Sequence, residues 1–441
     1  MKYTLRAIAI RPLKIVSSTL FLASIVVAHA ALQEQLPAHP LSVDEAISIG
    51  LHHNPQIQSA SAGIAAAMAT YQALGEIPNF LFGVSQVQGS SSAPSLTGDT
   101  RDTILSLSTT VDLSGQRRYQ AAGANSTYQA NRYQFQETIL SLEQQIRDAY
   151  WTLVAAQASL SLGEKSVADA QKIYDLTVVQ EKVGTSPKGD VIRSSIDLAN
   201  AKQNLLTAQN SETTALIAFN TLLARPPKSA IKLAGIIDEG APAMDLDTSN
   251  MPSLVDLTRK AIDNRPLLKS STEQIQSARF AVRQAESARL PDLDISYQRS
   301  TVQQVDALSL TLSFPLFDFG SIHHNVRAAQ ATKKQAESQR AQAELQVTQQ
   351  VAQAYSDWQS ATVAAKSYKK DILDPSSTLF DMANLGYQNG ATSILPVIDA
   401  ESTLRNARVG YINALLAVLK ASDELKAAIG ISEFLRPHPK G

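Results

Sequence analysis

The feature that most constrains this chain is an internal duplication. Four landmarks recur in the same order at offsets of 205 to 213 residues. The pairs are Asn54-Pro55 with Arg265-Pro266, Pro78 with Pro291, Tyr150 with Tyr355, and Gly184 with Gly390. A repeated order with a slowly drifting offset is typical of a duplicated unit with small loop changes. The sequence therefore predicts a first repeat over 31–235 and a second over 253–430, joined by a linker at 236–252 and followed by a C-terminal tail at 431–441.

Each repeat is predicted to contain three helical tracts. In the first repeat they cover 42–76, 117–181 and 188–223, and in the second 253–287, 320–386 and 393–429. A helix of about 65 residues is about 98 Å long at 1.5 Å per residue, which exceeds the span of an ordinary globular domain. Pro375 falls inside the second long tract, where it is expected to remove one backbone hydrogen bond and kink the helix.

The last tract of each repeat carries a heptad pattern. In the second repeat the spacings alternate between three and four at Val397, Ala400, Leu404, Ala407, Tyr411, Ala414, Val418, Ala421, Leu425 and Ala428. The same spacing runs from Val191 to Leu222, with Ser194 and Glu212 as its polar members. A sustained seam with frequent alanine favours closely packed coiled-coil helices over an amphipathic helix on a globular core.

Four short segments change from the helical period to strict alternation. They are predicted strands at 79–88, 103–113, 292–299 and 307–316. Strands of about ten residues cross a bilayer when they are tilted. A water-exposed four-stranded sheet has the same pattern, but the predicted helices are committed to one another and leave its apolar face uncovered. Because the smallest membrane barrels have about eight strands, four per chain require subunits to pool their strands, eight in a dimer or twelve in a trimer.

The N-terminal segment 1–30 has the order of a secretory signal peptide. Its basic region, with Lys2 and Arg6, precedes an apolar run at 15–28, and Ala28-His29-Ala30 supplies a cleavage site. No later stretch reaches the 18 or so apolar residues of a membrane-spanning helix. We therefore expect an exported protein without a helical membrane span.

Composition excludes several classes of function. The chain has no cysteine, which removes disulfides, thiolate metal sites, cysteine nucleophiles and a lipid anchor on an N-terminal cysteine. Its formal net charge of -1 gives no basic footprint for nucleic acid. Only 6% of its residues are aromatic, which suits a wall of close helices better than a large compact core.

No motif of catalysis or metal binding stands out. The sequence lacks a glycine-rich phosphate loop, a nucleophile elbow and a zinc motif. His52-His53 and His323-His324 are adjacent pairs, and neighbouring residues do not share a helix face, so they are poor metal ligands. We expect a protein that is not an enzyme and that holds no cofactor and no metal.

With these elements in place, the chain resembles the TolC-like outer-membrane efflux proteins, also called outer-membrane factors, over essentially all of its mature length. The segments that carry the resemblance are Leu41–Ala46 (LSVDEA), Phe314–Gly320 (FPLFDFG), Gly386–Gly390 (GYQNG) and Leu395–Ala400 (LPVIDA). The resemblance implies a mainly α fold with a transmembrane β-barrel. In it, a homotrimer forms a twelve-stranded barrel in contact with outer-membrane lipid, and the long coiled-coil helices form an α-helical barrel through the periplasm.

The resemblance also implies a role and partners. The chain would be the exit duct of a tripartite efflux or type I secretion system, opened through a periplasmic adaptor (membrane fusion) protein and an inner-membrane pump or exporter. The turns at the periplasmic tip, where an adaptor would dock, are Val183-Gly184-Thr185 and Asn389-Gly390-Ala391. Glycine suits both turns independently, because a tight reversal between helices favours residues that tolerate positive φ.

In that family, polar links and an acidic constriction hold the entrance closed. Asp190 and Tyr387 match positions that link inner and outer helix pairs, and Asp399 matches one of two acidic ring positions. The chain departs from the pattern at Pro396, the second ring position, and at Thr392, in place of the linking arginine. Asp190 equally suits a carboxylate that stabilises a helix start, and Asp399 an ordinary exposed carboxylate.

A periplasmic coiled-coil adaptor or scaffold is the alternative function. It accounts for the heptads but leaves the four alternating segments and their duplication unexplained. A periplasmic metal-binding or hydrolytic protein would rest on the histidine pairs alone.

Overall fold

The computed structural model describes residues 39–76, 79–90, 99–235, 237, 252–301, 306–313, 318–389 and 391–432. The predicted signal peptide at 1–30, most of the linker at 236–252, Gly390 and the end of the predicted tail at 433–441 lie outside these residues.

The elements occur twice in one order: two helices, two strands, a long helix and a final helix, with the long helix of the second repeat divided into three parts. In the first repeat they are α1 (Val43–His53), α2 (Pro55–Gly75), β1 (Leu81–Ser90), β2 (Asp99–Val111), α3 (Gln116–Lys182) and α4 (Lys188–Leu222). In the second they are α5 (Leu254–Asn264), α6 (Pro266–Ser287), β3 (Asp292–Ser300), β4 (Asp306–Ser313), α7 (Ser321–Tyr368), a π-helical segment (Lys369–Leu373), α8 (Asp374–Gln388) and α9 (Ile394–Ala428).

The first helical tract of each repeat is divided, so the expectation of single helices over 42–76 and 253–287 is wrong. Asn54 has an extended backbone and caps the next helix, its side chain accepting a hydrogen bond from the Gln56 amide at 2.8 Å. Pro55 follows at the first helical position. In the second half Arg265 is likewise extended and Pro266 follows at the first helical position, but the Arg265 side chain makes no capping hydrogen bond. A proline disfavours helical backbone in the residue before it, so the helix ends there and a new one begins.

The two long helices differ in one respect. α3 is continuous for 67 residues. The corresponding tract of the second repeat changes to π-helical geometry at Lys369–Leu373, immediately before Asp374-Pro375. Pro375 has no amide hydrogen, so a helix through this point must rearrange its hydrogen bonds, and the expected disturbance at Pro375 takes the form of a π-bulge.

The four strands form one antiparallel sheet in the order β1-β2-β3-β4. β2 of the first repeat pairs with β3 of the second, with Leu107 opposite Tyr297. The duplicated hairpins therefore join side by side, and β1 and β4 are left as edges. The ends of the predicted strands differ from the structure by two to four residues at several points, and 314–317, inside the predicted fourth strand, lies outside the described residues.

The main core lies where α1, α3, α4 and α9 meet. Its fully buried side chains include Leu41, Ile146, Tyr150 and Phe219. The Tyr150 hydroxyl donates to the Leu41 carbonyl at 3.0 Å and accepts from the Gly235 amide at 2.8 Å. These bonds hold the segment before α1 and the segment after α4 against the middle of α3.

Candidate functional site

One face of the sheet is mostly apolar, and its side chains are partly or largely exposed. The cross-strand register places on this face Phe82, Val84, Leu105, Leu107, Thr109, Val111, Leu293, Ile295, Tyr297, Leu308, Leu310 and Leu312. Phe82 is 68% exposed and Leu308 71%. No helix in the described part of the chain covers these side chains, and a contiguous exposed apolar face of this kind is typical of contact with lipid or another protein.

Charged side chains border the apolar face at the end where loops connect the strands of each hairpin. Arg299 and Asp306 face each other across β3 and β4, with 3.8 Å between Arg299 Nε and Asp306 Oδ1. From Leu293 to Arg299 the strand rises about 20 Å at 3.3 Å per residue. The apolar band of a membrane barrel is about 25 Å tall, so this face has the dimensions of such a band.

The opposite face of the sheet is mostly polar. Asp294 accepts hydrogen bonds from Thr110 Oγ1 at 2.6 Å and from Ser313 Oγ at 3.3 Å, which joins β2, β3 and β4. Alternation between an apolar and a polar face is the pattern of a barrel whose interior holds water.

The loop between α3 and α4 forms the first of two turns at the far end of the long helices. Gly184 adopts φ +79°, a left-handed conformation that favours glycine, directly after Val183. Its amide donates to Glu181 O at 3.0 Å, and the Thr185 amide donates to Gln180 O at 2.9 Å. These bonds satisfy the last carbonyls of α3 and permit the abrupt reversal into α4.

The second turn joins α8 to α9. Asn389 donates to Leu385 O through both its amide and its side-chain Nδ2, and the Ala391 amide donates to Gly386 O at 2.8 Å. Gly390, which the sequence placed in this turn, is outside the described residues. Val183, Asn389 and Ala391 are exposed, so the described parts of both turns are accessible.

A hydrogen bond joins the two turn regions. The Tyr387 hydroxyl on α8 donates to Gln180 Oε1 on α3. Burial raises the pKa of Tyr387, the bond to Gln180 opposes that shift, and the negative charge of Asp190 adds to it. Tyr387 and Asp190 are thus electrostatic neighbours, while the direct bond is made to Gln180.

Asp190 lies in the first turn of α4 and is only 7% exposed. It accepts a hydrogen bond from Ser186 Oγ at 3.1 Å and lies 3.7 Å from Arg193 Nη1. Its position therefore fits a helix-start carboxylate and also a neighbour of Tyr387. Sequence reasoning missed Gln180, because a glutamine in the last turn of a helix carries no distinctive signal.

Asp399 and Pro396 are exposed in the first turns of α9, and Thr392 is exposed just before this helix begins. Among the described residues no cation pairs with Asp399. The described histidines do not form a metal site either: His52 Nδ1 is 2.8 Å from Ser48 O, and no cluster of three or more ligand-type side chains occurs in the described ranges. Within the same ranges no helix is long and apolar enough to cross a bilayer.

The chain is similar in sequence and in fold to known outer-membrane proteins. A family model described as Outer membrane efflux protein matches residues 46–225 and 257–431, one stretch in each repeat. The cobalt-zinc-cadmium resistance protein CzcC of Cupriavidus metallidurans is 21% identical over 337 residues, covering 75% of this chain and 78% of CzcC. Outer membrane protein TolC of Escherichia coli is 23% identical over 307 residues, covering 64% of this chain and 60% of TolC. The solved structure of CusC has a TM-score of 0.76 at 19% identity and covers 88% of this chain and 92% of that one.

Proposed function

Because this chain belongs to the outer membrane efflux protein family, we propose that three copies of it assemble into one exit duct that works with a periplasmic adaptor and an inner-membrane pump. The family match confirms the resemblance seen in the sequence. The chain is accordingly an efflux channel of the outer membrane and not an enzyme. The coiled-coil adaptor, the alternative function, does not fit that family.

The observation that supports a trimer is the open four-stranded sheet. Its edges, β1 and β4, have unpaired backbone groups, which cannot remain unsatisfied in lipid. Pairing β4 of one copy with β1 of the next satisfies both edges and continues the apolar band. Three copies give twelve strands, enough to close a barrel around a water-filled lumen lined by the polar face.

The entrance of the duct is proposed to lie at the two turns. Tyr387 and Gln180 join the end of α8 to the end of α3, with Asp190 beside them. In a trimer this link occurs three times around the axis and restrains the tip in a closed arrangement. Three copies of Asp399, exposed on α9, would add a ring of negative charge at the narrowest part.

The adaptor is proposed to contact the exposed turns. Val183, Gly184 and Thr185 form one contact, and Asn389, Gly390 and Ala391 form the other. Val183 is 67% exposed, and Leu385, one turn before Asn389, is 61% exposed. Exposed apolar side chains at the end of a helical hairpin suit docking of another protein. The energy for transport would come from the pump, since the chain has no motif for nucleotide binding.

Fractionation combined with electrophysiology tests this proposal. The full chain, expressed in a Gram-negative host, should appear in the outer-membrane fraction as a trimer that dissociates on heating. The purified trimer should conduct ions in planar bilayers. A monomer confined to the periplasmic fraction would contradict the proposal and favour a periplasmic scaffold.

A further inference from the structure

Three charged side chains are buried together where α4 meets α9. Asp197 lies on α4, and Glu401 and Arg405 lie one turn apart on α9; they are 7%, 7% and 8% exposed. Arg405 Nη1 donates to Glu401 Oε2 at 2.8 Å, while its Nη2 lies 3.5 Å from Asp197 Oδ1. The guanidinium therefore bridges the last helix of the first repeat and the last helix of the second.

The charges in this cluster do not balance when both acids are ionised. Two carboxylates then share one guanidinium in a site with little access to water. Burial raises the pKa of Glu401 to about 7, Arg405 opposes the shift, and the negative charges of Asp197 on α4 and Asp169 on α3 add to it. Arg408 on α9 also favours the charged form, and Asp169 itself pairs with Lys172 at 2.9 Å.

The bridge between the helices is incompletely bonded. Within the described part of the chain, Asp197 Oδ2 and Arg405 Nε have no hydrogen-bond partner. Buried polar atoms without partners are costly, and a buried ion pair gains little unless its remaining atoms are satisfied. The contact between α4 and α9 at this point is therefore sensitive to one added or removed charge.

The cluster lies close to the entrance. Asp197 is seven residues, or about 10 Å along α4, beyond Asp190. Towards the tip, Ile394, Val397 and Ile398 pack beside Tyr387. Away from the tip, a groove of about 510 Å³ opens between α3, α4 and α9, with Arg405 in its lining. The cluster thus ties α4 to α9 between the entrance and the groove that these helices line.

We propose that Asp197, Arg405 and Glu401 form a proton-sensitive clasp that holds α4 against α9 when Glu401 is protonated and loosens when Glu401 ionises. With Glu401 neutral, Arg405 and Asp197 are balanced one to one. When the proton leaves to solvent, Glu401 and Asp197 carry two negative charges that share Arg405 in a site with little access to water, and separation of the helices lets water reach it. The clasp couples the pH around the tunnel to the tightness of its entrance, and this role rests on the proposed channel function.

A distance measurement tests the clasp independently of conduction. The chain has no cysteine, so Asn200→Cys and Asn406→Cys, both at exposed positions, direct spin labels to α4 and α9 of the full-length protein. Between about pH 5.5 and about pH 8.5 the inter-label distance should lengthen, with a midpoint near the pKa of Glu401, about 7. In Glu401→Gln, which keeps the side chain neutral, the short distance should persist throughout.

Two further variants separate the clasp from general effects of charge. Asp197→Asn leaves Glu401 and Arg405 as a balanced pair and should move the transition to lower pH. Glu424→Gln removes an exposed carboxylate from the same helix and should leave the transition as in the parent protein. A distance that does not change with pH, or a change that persists in Glu401→Gln, would overturn the proposal.

Conductance of the same proteins provides the functional readout. The parent channel should open more at about pH 8 than at about pH 6, and Glu401→Gln should lose this dependence. Conductance without any dependence on Glu401 would overturn the clasp and leave the channel intact. Absence of conductance at every pH, with the distance change present, would instead contradict the proposed channel function.

Discussion

Arg265 and Glu137 form a forked ion pair across the boundary between the two repeats. Arg265 Nη2 lies 2.8 Å and its Nε 3.0 Å from Glu137 Oε1, and both side chains are nearly buried. Arg265 Nη1 also donates to the carbonyls of Ala427 and Ala428 at 3.1 and 3.0 Å. One side chain thereby joins α3, the start of α6 and the end of α9.

Removal of Glu137 should therefore destabilise the protein. In Glu137→Ala the Arg265 charge and the Leu267 amide lose their carboxylate in a poorly hydrated site. We expect a loss of about 3 kcal/mol in the free energy of unfolding, measured by chemical denaturation of the purified protein. Glu337→Ala, which removes a more exposed ion pair with Lys333, should change it by less than about 1 kcal/mol. Equal effects of the two substitutions would contradict this account.

Loss of the Tyr387 hydroxyl should loosen the entrance. Tyr387→Phe keeps the ring and removes only the bond to Gln180. A hydrogen bond of about 1 kcal/mol corresponds to about a fivefold change in an opening equilibrium, so mean conductance should rise while the trimer remains intact. Tyr71→Phe, at an exposed position on α2, is the matched control. The double variant Asp190→Ala with Tyr387→Ala should raise conductance further; unchanged conductance would argue against a latch.

A charged side chain should destabilise the protein on one face of β4 and be tolerated on the other. Leu310→Asp places a carboxylate on the apolar face, where we expect a cost of about 2 kcal/mol and less protein in the outer membrane. Ser309→Asp places the same group one residue away on the polar face, opposite Ser296, and should be tolerated. Quantitative blotting of membrane fractions measures the difference, and the opposite ranking would reverse the assignment of the two faces.

Because α9 is closely packed, larger side chains at its small heptad positions should destabilise the protein. Ala407 is only 2% exposed within the main core. Ala407→Leu should cost about 1–3 kcal/mol and lower the midpoint of thermal unfolding, because the added carbons have no space. Ala341→Leu, at an exposed position of α7, should leave the midpoint nearly unchanged. Replacement of Ala414, another seam position, is expected to disturb the packing less, since its burial is only partial.

Glu401 should also make stability depend on pH. Its pKa is raised from 4.5 to about 7 in the folded protein, so the folded state binds more protons between these values. The stabilisation that protonation provides is complete below about pH 4.5 and is lost as pH rises through about 7. At about pH 8 we expect Glu401→Gln to be more stable than the parent by about 3 kcal/mol, while near pH 4 the two should agree. Denaturation at both pH values measures this.

Much of the architecture follows from sequence alone. The recurrence of Tyr150 as Tyr355 and of Gly184 as Gly390 exposes the duplication, and the alternation of Leu308, Leu310 and Leu312 with polar residues indicates a two-faced strand. Both signals can be read from the sequence because they depend on the local order and spacing of residues, and the spacing that marks a helix or a strand does not depend on how the chain packs. The breaks at Asn54 and Arg265 are equally local, but a proline at a first helical position resembles one inside a longer helix until the backbone conformation of the preceding residue is known.

The tertiary structure decided which distant side chains meet. The union of β2 with β3, the bond from Tyr387 to Gln180 and the bridge from Arg405 to Asp197 each join residues more than 180 positions apart. No periodicity specifies such partners, because they depend on how whole helices and hairpins pack. The sequence by itself determined the elements, their duplication and the faces they present. Only the fold determined that Gln180 would accept the hydrogen bond of Tyr387, and that Asp197 and Glu401 would share the buried Arg405.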